Sequence, residues 1–466
     1  MLNASEEKKQ VEFFTPVFMD KLIPDDYILK KVDKVIKTNW VYDEVRHLYS
    51  ENMGRPSIDP VRAVRLMLAG FFHGIVHDRK LMREANLHLG IRWFAGYGLY
   101  DKLPDHSSLS KLRKRWGVEL FEKIFRRTVR DCIEAGLVDS ETVHVDATLI
   151  RADVSWDSVV EKYIGDVIRE NGEGEDDDPG RPDGKRHTEK VCKSDPDASL
   201  TKSSSHDRPQ PRYKSHLVVE DRSGVVLDVA VTTGRTAEAS MLEGQMERVA
   251  GAVGEMPKAV TADSSYSTGR NYEKMESMGV EAVIPLRKVA KGSKYFPVDK
   301  FEYDESKDIM VCPAGKVLEK RGYNEKGPVY KASASKCRSC TLRRKCFAGY
   351  QTSRIVRLPY GHGALKRARE ARDEDRREKL KRHKWMVEGR NGEAKTVHGM
   401  SRAVRRGLEQ VMIQVLLTMA VMNLKRLAGA LLAAFEGTIL LLTAFTIHLP
   451  AQRPVFHFHH AYPGPT

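Results

Sequence analysis

E-T-V-H-V-D-A-T-L-I-R-A-D-V-S-W (141–156) places one carboxylate, Asp146, inside a run rich in β-branched residues. Such enrichment over a short run favours a buried strand over a helix. An ionised carboxylate in a buried strand is unfavourable unless a cation or hydrogen bonds compensate for its lost hydration. We therefore expect Asp146 to be a metal ligand or a catalytic group; an edge strand that faces water is the alternative.

The composition limits the classes of function. The chain has 466 residues, enough for two or three domains with a sizeable core. Its 78 Lys and Arg exceed its 64 Asp and Glu, and the net charge of +14 suits a polyanionic partner, nucleic acid first and a membrane surface second. The first ten residues contain no apolar core, so we expect no signal peptide and a protein that starts in the cytosol.

The pattern around Asp146 recurs further along the chain. P-K-A-V-T-A-D-S-S-Y (257–266) is a second short β-prone run, and it too carries an acid, Asp263. Strand and helix patterns alternate around it, which is typical of an α/β sheet. The acidic, Gly- and Pro-rich segment 173–184 is predicted to be a loop or disordered. The predicted elements are a hairpin of strands 213–221 and 224–233, helices 237–253 and 268–278, and a strand 280–286.

Apolar residues at three- and four-residue spacing predict helices over most of 13–137. One helix start is marked by Asp59, which is followed by a proline. A second lies at Asp105 or Ser107 and opens a helix with four bases in five positions. We predict a phosphate-contacting face there, with a solvated helix face as the alternative. The four bases are Lys111, Arg113, Lys114 and Arg115.

Four of the six cysteines are grouped in one short region: Cys312, Cys337, Cys340 and Cys346. Four thiolates are enough for a closed tetrahedral zinc site. Six cysteines in a chain of this length, four of them close together in sequence, indicate a metal cluster in a reducing compartment rather than a disulfide framework. The alternative is a set of reduced, unliganded cysteines in an inserted β-rich module.

A late basic helix carries Glu388 between two lysines, Lys384 and Lys395. At about 100° per residue, both lysines fall within about 40° of Glu388 around the helix axis. One face thus presents an acid flanked by two bases, which suits contact with a metal and with neighbouring phosphates. Glu393 lies about 140° away around the same axis and is the poorer candidate.

The order of these acids resembles a known catalytic core. Two strand aspartates, Asp146 and Asp263, followed by a late E-x6-K helix resemble the DDE core of bacterial insertion-sequence transposases. Several phrases also resemble one branch of that family: G-R-P-S-I-D-P, H-D-R-K-L, L-P-D-H-S-S-L-S-K-L-R, S-D-P-D-A, the C-P-A-G-K to C-R-S-C insertion and H-G-M-S-R-A-V-R-R-G. The resemblance runs from about Phe13 to Leu427. The chain departs from relatives that carry Tyr and Arg where it has Lys381 and Lys384.

The resemblance implies an α/β fold: a ribonuclease H-like catalytic domain with an N-terminal helical domain and an inserted cysteine-rich module. The expected units are an N-terminal helical DNA-binding domain 1–139, the first part of the catalytic domain 140–290, the cysteine-rich module 291–360, the C-terminal catalytic helices 361–427 and an apolar, flexible tail 428–466.

The resemblance also implies a chemistry. Asp146, Asp263 and Glu388 are expected to hold two Mg2+ ions about 4 Å apart around a scissile phosphate. Hydrolysis frees a 3′ end of the element, and the same site uses that end to attack target DNA. The expected partners are double-stranded DNA, both terminal repeats and target, and a second copy of the chain on that DNA. Lys384 and Lys395 are expected to contact phosphates, and the expected location is the nucleoid-associated cytoplasm.

Two other functions remain open at this stage: a related nuclease without strand transfer, and a non-catalytic DNA-binding regulator. The tail contains an apolar stretch long enough to span a membrane. Glu436 near its middle, with Gly429 and Gly437, argues against insertion. We expect the stretch to extend the preceding helix or to pack on the catalytic domain, with no membrane contact and a flexible end.

Overall fold

The computed structural model of the protein describes residues 18–50, 57–163, 188–203, 206–286, 294–324, 327–371 and 374–447. The predicted acidic loop 173–184 and the end of the tail, 448–466, lie outside these ranges. Within them the fold is mixed α and β. One large hydrophobic core and one smaller core account for its buried apolar side chains.

A mixed central sheet is built around β1, the strand that carries Asp146. The strand order is β6-β5-β1-β7-β8, with a short β4 beside the start of β5. β5 is antiparallel to β1 and to β6, whereas β7 is parallel to β1 and to β8. Because β1 has a partner on each side, the edge-strand alternative for Asp146 is wrong. The strands are β1 (Thr142–Arg151), β4 (Ser199–Thr201), β5 (Gln210–Glu220), β6 (Val226–Thr233), β7 (Ala259–Ala262) and β8 (Glu281–Val283); β2 (Val159–Tyr163) and β3 (Thr188–Cys192) form a separate ribbon.

Helices fill the N-terminal part of the chain. Asp59 caps one of them by accepting the Arg62 N–H at 3.0 Å, and Asp105 caps the longest by accepting the Ser107 N–H at 2.8 Å. Their apolar faces join the same hydrophobic core as the central sheet, so the boundary predicted at residue 139 does not separate two cores. The helices are α1 (Met19–Leu22), α2 (Ile28–Asp33), α3 (Val41–Val45), α4 (Pro60–Phe72), α5 (Asp78–Leu87), α6 (Leu89–Phe94) and α7 (His106–Glu134).

Two helices follow the strands of the central sheet: α8 (Leu242–Val253) and α9 (Gly269–Ser277). The predicted helix 237–253 begins late, because a short 3-10 helix, Glu238–Ser240, occupies its first turn. That turn brings Glu238 toward a second 3-10 helix, Ser264–Tyr266, which follows β7.

Beyond residue 294 a smaller unit forms around its own core. Its five strands are antiparallel in the order β13-β12-β11-β10-β9, and two short helices carry Cys337 and Cys346, with Cys340 between them. The elements are β9 (Glu302–Asp304), β10 (Ile309–Val311), β11 (Val317–Asn324), β12 (Gly327–Ala332), α10 (Ala334–Arg338), α11 (Arg343–Cys346) and β13 (Ile355–Arg357).

Three helices return the chain to the central sheet: α12 (His362–Glu370), α13 (Glu374–Thr396) and α14 (Leu408–Ile447). α13 packs on β1, β7 and β8, and α14 packs on α7 and β6. Buried Asn423 on α14 bonds the Val226 N–H and C=O of β6, each at 2.9 Å, and so satisfies the edge of the sheet. α14 is thus fixed to the sheet by polar as well as apolar contacts.

The S-D-P-D-A segment fixes the start of α14. The Asp195 carboxylate accepts the Gly407 N–H at 3.2 Å, and the Asp197 carboxylate accepts the Leu408 N–H at 2.9 Å. These are the first N–H groups of the helix, which have no partner within it. Two carboxylates at a helix N-terminus also complement its dipole.

α14 is the described helix that is long and apolar enough to cross a membrane, over Leu408–Ala433. Of its most apolar window, 67% is buried inside the protein. Packing in the core therefore accounts for its composition. The tail continues this helix as far as Ile447, as expected for its first part.

Glu393 connects α13 to α14. Its carboxylate bonds Lys425 at 3.0 Å and Arg426 at 2.7 Å, and Arg390 lies 3.6 Å away. Burial raises the pKa of Glu393, but hydrogen bonds from His398 and Lys425 and the charge of Arg390 outweigh burial and lower the pKa to about 2. This acid stabilises the packing of two helices.

Glu393→Gln tests whether ionised Glu393 stabilises the packing of α13 against α14, because its contribution to stability should depend on pH. A carboxylate with a lowered folded-state pKa stabilises the fold above its unfolded-state pKa and loses that contribution as pH falls toward the folded value. The wild-type advantage in free energy of unfolding should be about 3 kcal/mol at pH 6 and should shrink by about 2 kcal/mol at pH 3. Urea denaturation at several pH values measures it.

The matched control is Glu378→Gln on the same helix, whose 2.6 Å ion pair with Lys381 is exposed. That substitution should change stability by less than about 0.5 kcal/mol at every pH. A difference in free energy of unfolding between wild type and Glu393→Gln that does not vary with pH would contradict a stabilising role for the ionised carboxylate.

Candidate active site

Strand register brings two aspartates together. β1 and β7 are parallel, and Val145 pairs with Ala262. The next residue on each chain is an aspartate, so Asp146 and Asp263 lie side by side on neighbouring strands, which are about 4.8 Å apart in a sheet. Asp263 directly follows β7 and caps the Ser264–Tyr266 turn by accepting the Ser265 N–H at 2.8 Å.

Asp146 is held in a partly buried position. Its Oδ2 accepts a hydrogen bond from Asn391 Nδ2 at 2.8 Å. Burial, helped by the charges of Asp263 and Glu238, raises the pKa of Asp146 to about 7 against the opposing effects of the Ala147 N–H and Lys395. The surroundings therefore do not fully compensate the ionised carboxylate.

α13 carries the third predicted acid across this face. Glu388, Asn391 and Lys395 are spaced by three and four residues and share one side of the helix. Asn391 and Lys395 interact with Asp146, whereas Glu388 is exposed and, within the described residues, makes no side-chain hydrogen bond or ion pair. The structure thus brings Asp146 and Asp263 together and places Glu388 on the adjoining helix without contact to either. Lys384 is exposed one turn earlier.

A buried polar chain lies directly beside the aspartates. His144 Nε2 is 2.7 Å from Asp221, and His144 Nδ1 is 2.6 Å from Thr261 Oγ1, which is itself 2.9 Å from His383 Nδ1. His144 and Thr261 each precede an acid by two residues, and His383 precedes Glu388 by five. These hydrogen bonds link β1, β7 and α13, the three elements on or beside which the predicted acids lie.

The hydrogen bonds in this chain have one consistent direction. Burial lowers the pKa of His144, and burial together with the charge of His144 lowers the pKa of His383 to about 4, so both rings are neutral at pH 7. Neutral His144 must donate from Nε2 to the Asp221 carboxylate and accept at Nδ1. Thr261 has one hydroxyl hydrogen, which goes to His144, and it therefore accepts from His383 Nδ1–H.

Three residues near the aspartates were not expected: Asn391, Glu238 and Tyr266. Asn391 has a sequence signal, because it lies one turn after Glu388 on the same helix face. Glu238 and Tyr266 have none, since the pairing of two short 3-10 helices brings them to the site.

The basic face predicted on α7 needs one correction. Arg113 is 1% exposed and forms an ion pair with Asp78, which Arg405 also bonds at 3.0 Å. It braces α7 against α5 and the chain before α14, so it is not available to a phosphate. Lys111, Lys114 and Arg115 are exposed, as a phosphate-contacting face requires.

Four cysteines line one small enclosed cavity: Cys312, Cys337, Cys340 and Cys346. All are free thiols, and the Lys316 N–H donates to Cys312 Sγ at 3.3 Å. Burial raises the pKa of Cys346, which Arg354 lowers and the other three cysteines raise. Because the four cysteines line the same small cavity, their side chains face a common space.

In the part of the chain that the structure describes, no group of three or more His, Cys, Asp or Glu side chains is arranged so that it could hold a metal ion. In this arrangement neither the two aspartates nor the four thiols form a coordination site.

Two family models match the sequence. Residues 17–115 match a model described as Transposase domain (DUF772), and residues 311–428 match a model described as Transposase DDE domain. The second match includes Glu388, Lys395 and the four cysteines of the cavity, while Asp146 and Asp263 lie outside both. Comparison with curated proteins gives no match.

Solved structures were compared as well. A piggyBac transposase synaptic complex with hairpin DNA aligns over 93% of this chain and 82% of its own, with 13% identity and a TM-score of 0.31. A Mos1 transposase paired-end complex with the left transposon end aligns over 50% of this chain and 61% of its own, with 10% identity and a TM-score of 0.17. Both TM-scores are too low to support an inference about this chain.

The directions of these hydrogen bonds predict the tautomers of His144 and His383. At pH 7 His144 should carry its hydrogen on Nε2 and His383 on Nδ1, both rings being neutral. Nitrogen-15 NMR of histidine-labelled protein distinguishes the tautomers, and His144→Gln and His383→Gln spectra assign the signals. A doubly protonated His144 would reverse the direction of the chain and contradict the assignment.

Thr261→Val removes both of the central hydrogen bonds with little change in volume. Leaving two buried imidazole nitrogens unpaired should lower the free energy of unfolding by about 2–4 kcal/mol. Thr418→Val is the control, because the Thr418 hydroxyl bonds only a carbonyl of its own helix, at 2.9 Å. Equal losses in the two variants would mean that the Thr261 bonds have no special weight.

Proposed function

The chain is a DDE-type transposase by its two family-model matches, and we propose that it acts on the ends of an insertion sequence, with Asp146, Asp263 and Glu388 as its catalytic acids. The observation that carries this assignment is the register of β1 and β7, which sets Asp146 beside Asp263 under the helix that bears Glu388. The reaction we propose is cleavage of the element's ends followed by strand transfer to target DNA.

The fold that we infer for the catalytic part is ribonuclease H-like. The strand order supports it: three antiparallel strands, β6, β5 and β1, are extended by two parallel strands, β7 and β8. The acids lie on the middle strand, on its parallel neighbour and on a helix that crosses them. A helical N-terminal domain and an inserted cysteine-rich module complete the proposed architecture.

The residues beside the aspartates fit a divalent cation. Burial disfavours the ionised form of Asp146, and Asp263 and Glu238 add negative charge, so a cation would offset an existing cost. Carboxylate oxygens are the donors that hard cations such as Mg2+ prefer. Asp146, Asp263 and Glu388 would hold two such ions. When bound, such ions lower the pKa of an attacking water or hydroxyl and stabilise charge on the phosphate.

The chain's own groups have separate tasks. Asn391 fixes Oδ2 of Asp146 and so orients the carboxylate. Lys395, half-buried on the same helix face, provides a positive charge beside that carboxylate for a scissile phosphate. Hydrogen bonds among His144, Thr261 and His383 hold α13 in register over the strands, and α13 is the helix that bears Glu388.

DNA contacts are proposed for five basic side chains. Lys384 and Lys395 would contact phosphates near the cleavage point, and Lys111, Lys114 and Arg115 would contact the element's terminal repeats. Arg113 is left out because it is buried against Asp78. The partner is double-stranded DNA, both element ends and target. Two copies of the chain would assemble on it, in the nucleoid-associated cytoplasm.

A structural zinc ion is proposed for the four-cysteine cavity. Thiolates are soft ligands that favour zinc over Mg2+. The four sulfurs line one enclosed space at the core of the smaller unit. Closing that space around an ion would tie β10 to the two short helices α10 and α11.

The catalytic proposal is tested with Asp146→Asn, Asp263→Asn and Glu388→Gln. Each removes a charge with almost no change in volume, so each should lower end cleavage by at least about 10³-fold while DNA binding changes little. Cleavage of DNA carrying the element's flanks in Mg2+ measures the rate, and EDTA should abolish it.

Glu378→Gln, an exposed acid on the same helix as Glu388, is the control and should cleave like wild type. Near wild-type cleavage by any one of the three variants would show that its acid is misassigned. Strand transfer from pre-cleaved ends separates a transposase from a nuclease that only hydrolyses. Cleavage without transfer would reduce the proposal to a nuclease.

The zinc proposal is tested by metal analysis of protein purified without chelator. Wild type should contain about one zinc per chain, because four thiolates complete one tetrahedral site. Cys340→Ser should lose it, while Cys192→Ser, outside the cavity and bonded to Ser158, should keep it. A zinc content near zero in the wild type would leave four free thiols.

A further inference from the structure

Glu238 lies where the chain leaves β6, on the short 3-10 helix Glu238–Ser240. Its side chain is 22% exposed. Oε1 bonds Lys214 Nζ at 3.1 Å, and Oε2 accepts from the Ser265 hydroxyl. Lys214 also donates to the Thr236 carbonyl at 2.9 Å, which fixes its position. Glu238 is thus held in place and directed at the turn that follows Asp263.

Two carboxylates converge on the Ser265 hydroxyl. It contacts Oε2 of Glu238 and also Oδ1 of Asp263. A serine hydroxyl carries one hydrogen, so it cannot give a full hydrogen bond to both acceptors at once. Two ionised oxygens that share one hydrogen repel each other unless a proton or a cation lies nearby.

Tyr266 provides an independent observation. Its ring is fully buried at 0% exposure, and its hydroxyl has no hydrogen-bond partner among the described residues. Burial raises the pKa of Tyr266 well above its usual value, and the charges of Asp146, Glu238 and Asp263 raise it further. An unpartnered buried hydroxyl thus belongs to the residue next to Ser265, whose own hydroxyl contacts both Glu238 and Asp263. A buried polar atom without a partner requires an explanation, and an ion or water bound beside it is one.

From this geometry we propose that Glu238 is a fourth carboxylate of the active site and binds the divalent cation together with Asp146 and Asp263. The inference rests on the proposed metal-dependent function of that site. Oε1 of Glu238 stays bonded to Lys214. Oε2, which accepts from the Ser265 hydroxyl in this structure, would bind the ion in place of that hydroxyl. The carboxylates move together when the ion binds, because in the present arrangement they do not form a coordination site.

The experiment is titration of the full-length protein with Mn2+, followed by electron paramagnetic resonance of the free ion. Glu238→Gln should weaken Mn2+ binding at the site by about tenfold or more, the range found when groups supporting a metal are removed. Glu243→Gln is the matched control, since Glu243 lies five residues away in a 2.7 Å ion pair with Lys274. It should bind Mn2+ as wild type does.

Ser265→Ala separates ion binding from a purely structural role. If Glu238 acts only by holding Asp263 through Ser265, removing the hydroxyl should weaken Mn2+ binding as much as Glu238→Gln does. If Glu238 binds the ion, Ser265→Ala removes a competing partner, and affinity should be unchanged or higher. Equal weakening in both variants would overturn the proposal. Glu238→Asp, which keeps the charge, should bind Mn2+ more tightly than Glu238→Gln; equal affinity would also overturn it.

Asp146→Asn completes the series. Loss of Mn2+ binding in Asp146→Asn with wild-type binding in Glu238→Gln would overturn the role of Glu238 and leave the proposed function intact. Wild-type binding in both variants would overturn the metal site itself.

Discussion

The parallel pairing of β1 with β7 is the constraint on which the site depends. It sets Val145 opposite Ala262, and the two residues that follow are both aspartates. A shift of one residue in either strand would turn one of these side chains to the opposite face of the sheet. The register of β1 and β7 therefore determines whether Asp146 and Asp263 lie on the same face of the sheet. The antiparallel pairing of β5 on the other side of β1 helps to hold it.

Placing acids in the interior has a cost that the surroundings offset only in part. Asp146 has an amide partner in Asn391 and a nearby lysine in Lys395, yet burial still raises its pKa to about 7. Glu393, by contrast, is surrounded by cations, and its pKa falls to about 2. The two acids thus have different surroundings: nearby cations offset the burial of Glu393, whereas the positive charge near Asp146 does not offset its burial.

Local patterns in the sequence predicted the parts of the structure that local patterns control. Asp146 and Asp263 could be singled out because each interrupts or ends a β-prone run, and strand alternation gave the α/β class. Arg113 was assigned wrongly: it is buried in an ion pair with Asp78, 35 residues earlier, and the spacing of bases along α7 does not reveal that contact. Glu238 could not be found, since its position depends on a turn 27 residues away. The positions of both residues depend on tertiary contacts, which residue spacing in the sequence does not show.

The central claim is that Asp146 and Asp263 form one cation-binding site at the carboxyl end of β7. Crystals of the protein grown with Mn2+, measured at the manganese absorption edge, test it most directly. The account predicts an anomalous difference peak bound by oxygens of both aspartates, with ligand distances typical of a hard divalent cation. Strong peaks elsewhere on the protein, with none between these two carboxylates, would contradict it.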